Sequence, residues 1–360
     1  MKQIMKPYII GETAYNHEGD IKYLFRMIEE IADLKLDAVK FHMLLDITTY
    51  FQKKHPLLPT LQKFMFTEDQ WTQIFQKSKD LNLDVINLCD DVKSIEYCLE
   101  HEDLVDAIEL HATGLNDYFQ LTALKNWKKL VILGVGGSTL DEIRYALEIL
   151  SKNGNENILL MYGFQSYPTD YGKINLSKML KIGDLFERPL GYADHTGFDD
   201  SNNEVVSVMA ASLGVPVLEK HFTCDEGKER VDYHAAVGKE TMQRIKELMN
   251  LALSVYGTGD MNMSDAELKY GNTGPMKKAL VAGKPISRGS EIRVEDVRFK
   301  RTEEESTLKQ NQLFRIIGLK AKEDIAEDEI IDFTKVEYEF QAPDPESFTH
   351  IKKEKGEESR

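Results

Sequence analysis

Two histidines close two apolar runs. His195 ends Gly191-Tyr192-Ala193-Asp194, and His221 ends Val217-Leu218-Glu219-Lys220. A helix-length segment, about 204–214, lies between them. Parallel strands joined by one helix bring their C-terminal ends side by side. That spacing puts both imidazoles at one rim, close enough to hold a single metal ion. Imidazole suits first-row divalent metals, and Asp194 and Glu219 are neighbouring carboxylates. A lone histidine of this kind reads as an ordinary strand-end residue. Two at equivalent positions of consecutive units read as a shared site.

The same kind of position recurs along the chain. Other apolar runs end on Glu12, on Lys40 with His42, on Glu109 with His111, and on Gly134, with Tyr167 shortly after a further run. Charged groups at the ends of apolar strands are costly unless they face solvent, a ligand or each other. Alone, Glu12 reads as a surface acid and Lys40 as a side chain that snorkels to solvent. Converging on one mouth with two histidines, they read as a catalytic set.

The elements that must position these residues alternate regularly. Strands are predicted at 7–14, 37–42, 84–89, 107–112, 130–135, 158–163, 190–195 and 217–221. Helices lie between them, and the last runs from about 239 to 256. Leu24, Met27, Ile28, Ile31 and Leu34 recur at helical spacing behind the polar stretch Asn16-His17-Glu18-Gly19-Asp20, whose Asp20 can cap that helix. Residues 47–66 form a long insertion with Pro56 and Pro59, of the length that lids and binding loops have. Eight βα units in roughly 250 residues is the size of a (β/α)8 TIM barrel. A doubly wound sheet is the competitor, but no Gly-x-Gly-x-x-Gly follows the first strand.

Composition narrows the function classes. The 360 residues carry a net charge of −16, which argues against a nucleic-acid or anionic-membrane partner. No apolar run reaches transmembrane length, and the first residues lack a signal-peptide core. The three cysteines are odd in number and lack metal-finger spacing, so they read as reduced thiols of a cytoplasmic protein. The domain plan is a barrel at 1–256, a glycine-punctuated linker at 257–277, a small β-rich domain at 278–340 and a charged, disordered tail at 341–360. Within the small domain, 283–292 and 321–331 are near-repeats.

The phrases IIGETAYNHEGD, DAVKFHM, SYPTDY, GYADHTG and VLEKHFTCD, followed by the Lys300-Arg301 step, occur in an order that resembles the sialic acid synthase family, including the pseudaminic and legionaminic acid synthases. The resemblance runs to about residue 339. It implies a TIM barrel followed by an antifreeze-like (SAF) domain, and condensation of phosphoenolpyruvate with the open-chain aldehyde of an N-acylated amino sugar. It implies a divalent metal, Mn²⁺ or its equivalents Mg²⁺ or Co²⁺, on His195 and His221, with Glu12 as a carboxylate beside it that helps activate water. It matches Lys40 to a phosphoenolpyruvate contact and Tyr167 to a sugar-side tyrosine. Arg301 matches an arginine inserted into a partner subunit's barrel, which implies a domain-swapped homodimer. Asn16, His42, His111, Gln165, Asp232 and His234 complete the expected substrate-binding set.

The sequence also departs from that pattern. Where the family has Lys-Ile-Gly-Ser-Gly-Glu at the fourth strand, this chain has Glu109-Leu110-His111-Ala112-Thr113-Gly114. The fifth strand ends Gly134-Val135-Gly136 in place of Ser-Thr-Gly. Ala193 replaces the serine of Ser-Asp-His, and Gln165 replaces the asparagine before Tyr167. In the eighth loop His234 is in place, but its neighbour is Tyr233 and the acid is Asp232. Most phosphate donors are therefore missing. Glu109 repels a phosphate if it faces the same space; two unit charges about 4 Å apart interact by roughly 4 kcal/mol at an effective dielectric near 20. The bland arrangement pairs Glu109 with Lys40 or His111 and leaves the phosphate room. The leading expectation is a metal-assisted aldol-type synthase with a changed donor site. A metal-dependent lyase or isomerase without phosphoenolpyruvate is the alternative, and a sugar-binding pseudoenzyme a third.

Overall fold

The computed structural model describes residues 5–164, 166, 169–271, 275–338 and 344. The chain divides into two compact units, Met1–Asp260 and Met261–Arg360.

The first unit is a closed barrel of eight parallel strands: β1 (Tyr8–Glu12), β2 (Ala38–Met43), β3 (Asp84–Cys89), β4 (Ala107–Leu110), β5 (Leu130–Gly134), β6 (Ile158–Tyr162), β7 (Leu190–Asp194) and β8 (Val217–His221). Alternation along each strand sorts side chains to two faces. One set, including Ile9, Val39, Phe41, Val85, Ile108, Val131, Leu133, Leu160 and Leu218, packs in the core with the surrounding helices. The other set, including Ile10, Ala38, Ile86, Ala107, Ile132, Leu159, Met161 and Ala193, forms a separate apolar plug. Glu12, Lys40 and Glu109 each sit two residues beyond a member of that plug, so they share its face. Closure puts Glu12 opposite His221 on one side and opposite Lys40 on the other.

Helix starts follow local chemistry. Asp20 accepts from the backbone N–H groups of Lys22 and Tyr23 and starts the helix Ile21–Asp33. Thr67 with Gln70, and Thr139 with Glu142, form capping boxes for Glu68–Asp80 and Leu140–Lys152. Three expectations change in detail. The fourth strand stops at Leu110, because His111 leaves it and its Nδ1 accepts from Thr113 N–H to start a 3-10 turn, Ala112–Gly114. The 47–66 insertion holds two short helices, Ile47–Tyr50 and Leu58–Phe64; Pro59 falls in the first turn of the second, where a missing N–H costs nothing. The segment before β8 is a six-residue helix, Asn203–Val208, followed by a 3-10 turn, because Gly214 takes φ 88° and ends it.

The second unit carries an antiparallel pair, β9 (Lys278–Ala282) and β10 (Val297–Arg301). The two near-repeats face each other: Ile286 and Ile325 exchange both backbone hydrogen bonds, at 2.9 and 2.8 Å. Leu280, Ile286, Ile292, Val297, Ile316, Ile325, Ile331 and Val336 form its core. Expected tail residues 341–360 lie outside the described residues apart from Asp344. Among the described residues no helix is long and apolar enough to cross a membrane.

Between β7 and β8 lies a fully buried ion pair, with Lys220 Nζ 2.6 Å from Asp194 Oδ2. Ser207 Oγ also donates to Oδ2, and Tyr192 and Thr196 donate to Oδ1. Removing the acid strands a buried ammonium, at a cost of about 3–5 kcal/mol. Asp194→Ala is therefore expected to lower the stability of the barrel by that amount in urea unfolding. A loss under about 1 kcal/mol, the level of an exposed pair, contradicts this view of the pair.

Candidate metal centre at the barrel mouth

Glu12, Lys40, His42, Glu109, His111, His195, Glu219 and His221 line one cavity of about 310 Å³. Its other walls include Gly134, Gly136, Met161, Gly163, Phe164 and Ala193. On this second side the backbones touch. A Cβ on Gly136 would lie 1.4 Å from the Gly163 carbonyl oxygen, and one on Gly163 would lie 2.1 Å from that of Ala193. Side chains with hydroxyls are excluded at those two glycines by contact alone.

Lys40 is fully buried and is the centre of the charged side. Its ammonium lies 2.8 Å from Glu109 Oε2, 2.9 Å from Glu219 Oε2 and 3.3 Å from Glu12 Oε1. Burial alone would push the lysine down, but Glu109, Glu12 and Glu219 together outweigh it and hold it well above its ordinary range. Neither Glu109 Oε2 nor Glu219 Oε2 makes a hydrogen bond of good geometry. Burial raises Glu219 well above the usual carboxylate range, and the charge of Glu12 adds to it despite Lys40. Burial raises Glu109 as well, with Lys40 opposing. Glu12 goes the other way: burial works against ionisation, but Lys40, His221 and His42 hold it well below the usual range.

Both oxygens of Glu12 are engaged. His42 Nε2 is 2.9 Å from Oε1, and His221 Nε2 is 2.9 Å from Oε2. His221 Nδ1 is buried without a hydrogen-bond partner. His195 Nδ1 is 3.2 Å from the Ala193 carbonyl, which fixes the ring as a donor there. Burial, then His221, push His195 down to about 3, so it is neutral and its other nitrogen is free to ligate. One ligand atom from each of Glu12, His195 and His221 lies within 4.8 Å of the others. Two imidazoles, one of them with an unsatisfied ring nitrogen, and one ionised carboxylate fit a borderline divalent cation.

The remaining expected site residues divide. Asn16 is buried but absent from the cavity wall: its amide donates to the Val231 carbonyl and accepts from the Thr223 hydroxyl, tying the loop after β1 to the one after β8. Asp232 has φ 61° in that later loop, and His234 is exposed, its ring 4.0 Å from that of Tyr233. Arg301 lies on β10 in the second unit, exposed, with Nη2 3.1 Å from Met276 Sδ. Gln165 and Tyr167 lie outside the described residues. Asp194 turns out of the cavity to Lys220. Glu219, by contrast, stands two residues before His221 and faces inward with it, a parity readable from the strand.

The barrel, the mouth and the appended β-rich unit together define a class of protein. Residues 27–261 match the NeuB family and residues 277–337 match the SAF domain. The chain belongs to the NeuB family. It is 30% identical over 298 residues to the N,N'-diacetyllegionaminic acid synthase of Campylobacter jejuni, covering 79% of this chain and 87% of that one. It is 26% identical over 324 residues to the uncharacterised protein MJ1065 of Methanocaldococcus jannaschii, covering 90% and 93%. In fold it resembles a Chromobacterium violaceum protein provisionally described as spore coat polysaccharide biosynthesis protein E, with 19% identity, 92% of this chain and 100% of that one covered, and a TM-score of 0.80.

Replacing both His195 and His221 by Ala should abolish stoichiometric Mn²⁺ binding while circular dichroism shows the barrel intact. Unchanged metal content by elemental analysis would place the ion elsewhere.

Proposed function

We propose that this protein is a sialic-acid-synthase-like enzyme that forms a carbon–carbon bond at the open-chain aldehyde of an amino sugar or a similar sugar. The observation that carries this reading is the convergence of Glu12, His195 and His221 at the mouth of a NeuB-family barrel. A divalent metal, Mn²⁺ or a chemical equivalent, would supply Lewis-acid polarisation of the aldehyde oxygen when held by His195 and His221 with Glu12 beside it. Glu12, kept ionised by its neighbours, accepts a proton from water or substrate beside that oxygen. His42, hydrogen-bonded to Glu12, fixes which way its carboxylate faces. The donor's carbon bonds to the aldehyde carbon as the C=O π bond breaks, and the oxygen stays on that carbon and takes up a proton to become a hydroxyl of the product.

The donor corner has changed character. In the family reaction the donor is phosphoenolpyruvate, which needs cations and hydroxyls around its phosphate. Lys40 is the sole lysine or arginine among the described cavity-lining residues, and three carboxylates surround its ammonium. Glu109 thus pairs with Lys40, the bland arrangement of the two anticipated, but it does so on the cavity wall. The proposal is a donor that is neutral or cationic at this corner. The same crowding favours, as second reading, a metal-assisted aldol cleavage, isomerisation or dehydration that uses no phosphate donor. The second unit, through Arg301, is proposed to complete the site of a partner subunit in a swapped dimer.

Incubation of the Mn²⁺-loaded protein with amino sugars and candidate donors, read by product mass and phosphate release together, tests the reaction class. A product heavier than the sugar by the donor's carbon skeleton supports it, and turnover of none of the sugars contradicts it. Calorimetric titration with phosphoenolpyruvate and Mn²⁺ tests the corner. Micromolar binding by the unaltered protein would refute it, whereas Glu109→Lys should strengthen binding at least tenfold, about 1.4 kcal/mol. The dimer is tested by sedimentation, where an active monomer contradicts it.

A further inference from the structure

Beside the metal-facing cavity lies a second one, of about 380 Å³. Tyr50, Phe51 and His55 of the 47–66 insertion wall it, and Asp90 and Gln120 lie on its inner side. His111 and Thr113 line both cavities, so the two are neighbours across that one turn.

The outer wall is aromatic. Tyr50 and Phe51 have ring centroids 4.7 Å apart, and Phe51 stacks on His55 at 4.1 Å. The inner side holds a buried carboxylate to which no salt bridge is made among the described residues. Asp90 is 6% exposed. Tyr15 donates to its Oδ2 at 2.9 Å, and Gln120 donates to its backbone carbonyl at 2.7 Å. Neither neutralises it, and among the described residues no Lys, Arg or His forms an ion pair with it. Its sequence neighbour Asp91 shows the contrast. That carboxylate accepts from Ser94 N–H, Ser94 Oγ and Leu45 N–H, and caps the helix Val92–Glu100. Asp91 is thus engaged in backbone capping, whereas the Asp90 carboxylate, among the described residues, takes only the hydroxyls of Tyr15 and Tyr50. Burial raises Asp90 to about 6, even though His42, the Tyr15 hydroxyl and Lys40 pull it down, so its neighbours offset the burial only in part.

We propose that this side cavity binds a protonated amine of the ligand, with Asp90 as its counter-ion and the Tyr50 and Phe51 rings as an aromatic wall. A buried carboxylate is repaid by a cation and not by a neutral or anionic arm. Aromatic rings add to the attraction of an ammonium. The substrate class is then a sugar bearing a free amine, placed so that its aldehyde end reaches the metal-facing cavity past His111. The inference rests on the sugar reading above for the identity of the ligand, but not for the recognition of the amine.

The test uses the full-length, Mn²⁺-loaded protein with D-glucosamine and D-glucose, which differ by an ammonium in place of a hydroxyl. Saturation-transfer NMR and calorimetry measure both affinities. Glucosamine should bind at least tenfold more tightly, Asp90→Asn should erase that preference, and Phe51→Ala should weaken it. Should Asp90→Asn fail to fold, Phe51→Ala and Tyr50→Leu decide the matter in the same way. The metal-free His195→Ala/His221→Ala protein should keep the preference, which separates failure of the metal reading from failure of this one. Equal affinity for the two sugars, no detectable binding of glucosamine, a preference unchanged in the cavity variants, or its disappearance in the metal-free protein would overturn the proposal.

Discussion

A buried ammonium held by three carboxylates sets the terms for the rest of the barrel mouth. Lys40, Glu12, Glu109 and Glu219 come from four different strands, and barrel closure alone brings them together. In a dry interior none of these charges is tolerable unmatched. The lysine keeps its proton because of the acids, and Glu12 stays ionised because of the lysine and two histidines. An ionised Glu12 is what makes the histidine rim suitable for a divalent cation. Loss of Lys40 would leave three facing acids, and the metal-facing group would be among those forced to neutralise.

The mouth is asymmetric for a second reason. Its charged half lies on β8, β1, β2 and β4. Across from it, the loops after β5 and β6 and the end of β7 approach so closely that Gly136 and Gly163 have no space for a side chain. Charged and hydrogen-bonding side chains therefore come from the rest of the rim, His195 after β7 among them. The aromatic insertion at 47–66 extends the charged side, not the glycine side.

Much of this was legible in the chain. Eight alternating units, the Asp20 and Thr67 caps and the apolar spacing of the first helix all follow from local chemistry, and the barrel with its SAF unit is the fold. The two histidine strands adjoin as their βαβ spacing requires, with ring centroids 5.0 Å apart. Other features depend on contacts that no local pattern announces. Asn16 serves as a strut because its partners Thr223 and Val231 lie more than two hundred positions away. Strand parity sorts the two acids: Asp194 precedes His195 by one residue and faces away, whereas Glu219 precedes His221 by two and faces in. The early end of β4 at His111 arises from a side-chain to backbone bond that competes with the ladder. Asp90 carries no local signal of its own, since only the fold sets it beside Tyr15 and the 47–66 insertion.

Anomalous diffraction from a Mn²⁺-soaked crystal tests the central claim most directly, because it locates the ion independently of turnover. The account predicts one strong peak at the barrel mouth, bound by His195 and His221 with Glu12 beside it, while Lys40 remains enclosed by Glu12, Glu109 and Glu219. A peak at any other place, or a mouth without metal density in a crystal that binds manganese elsewhere, would contradict it.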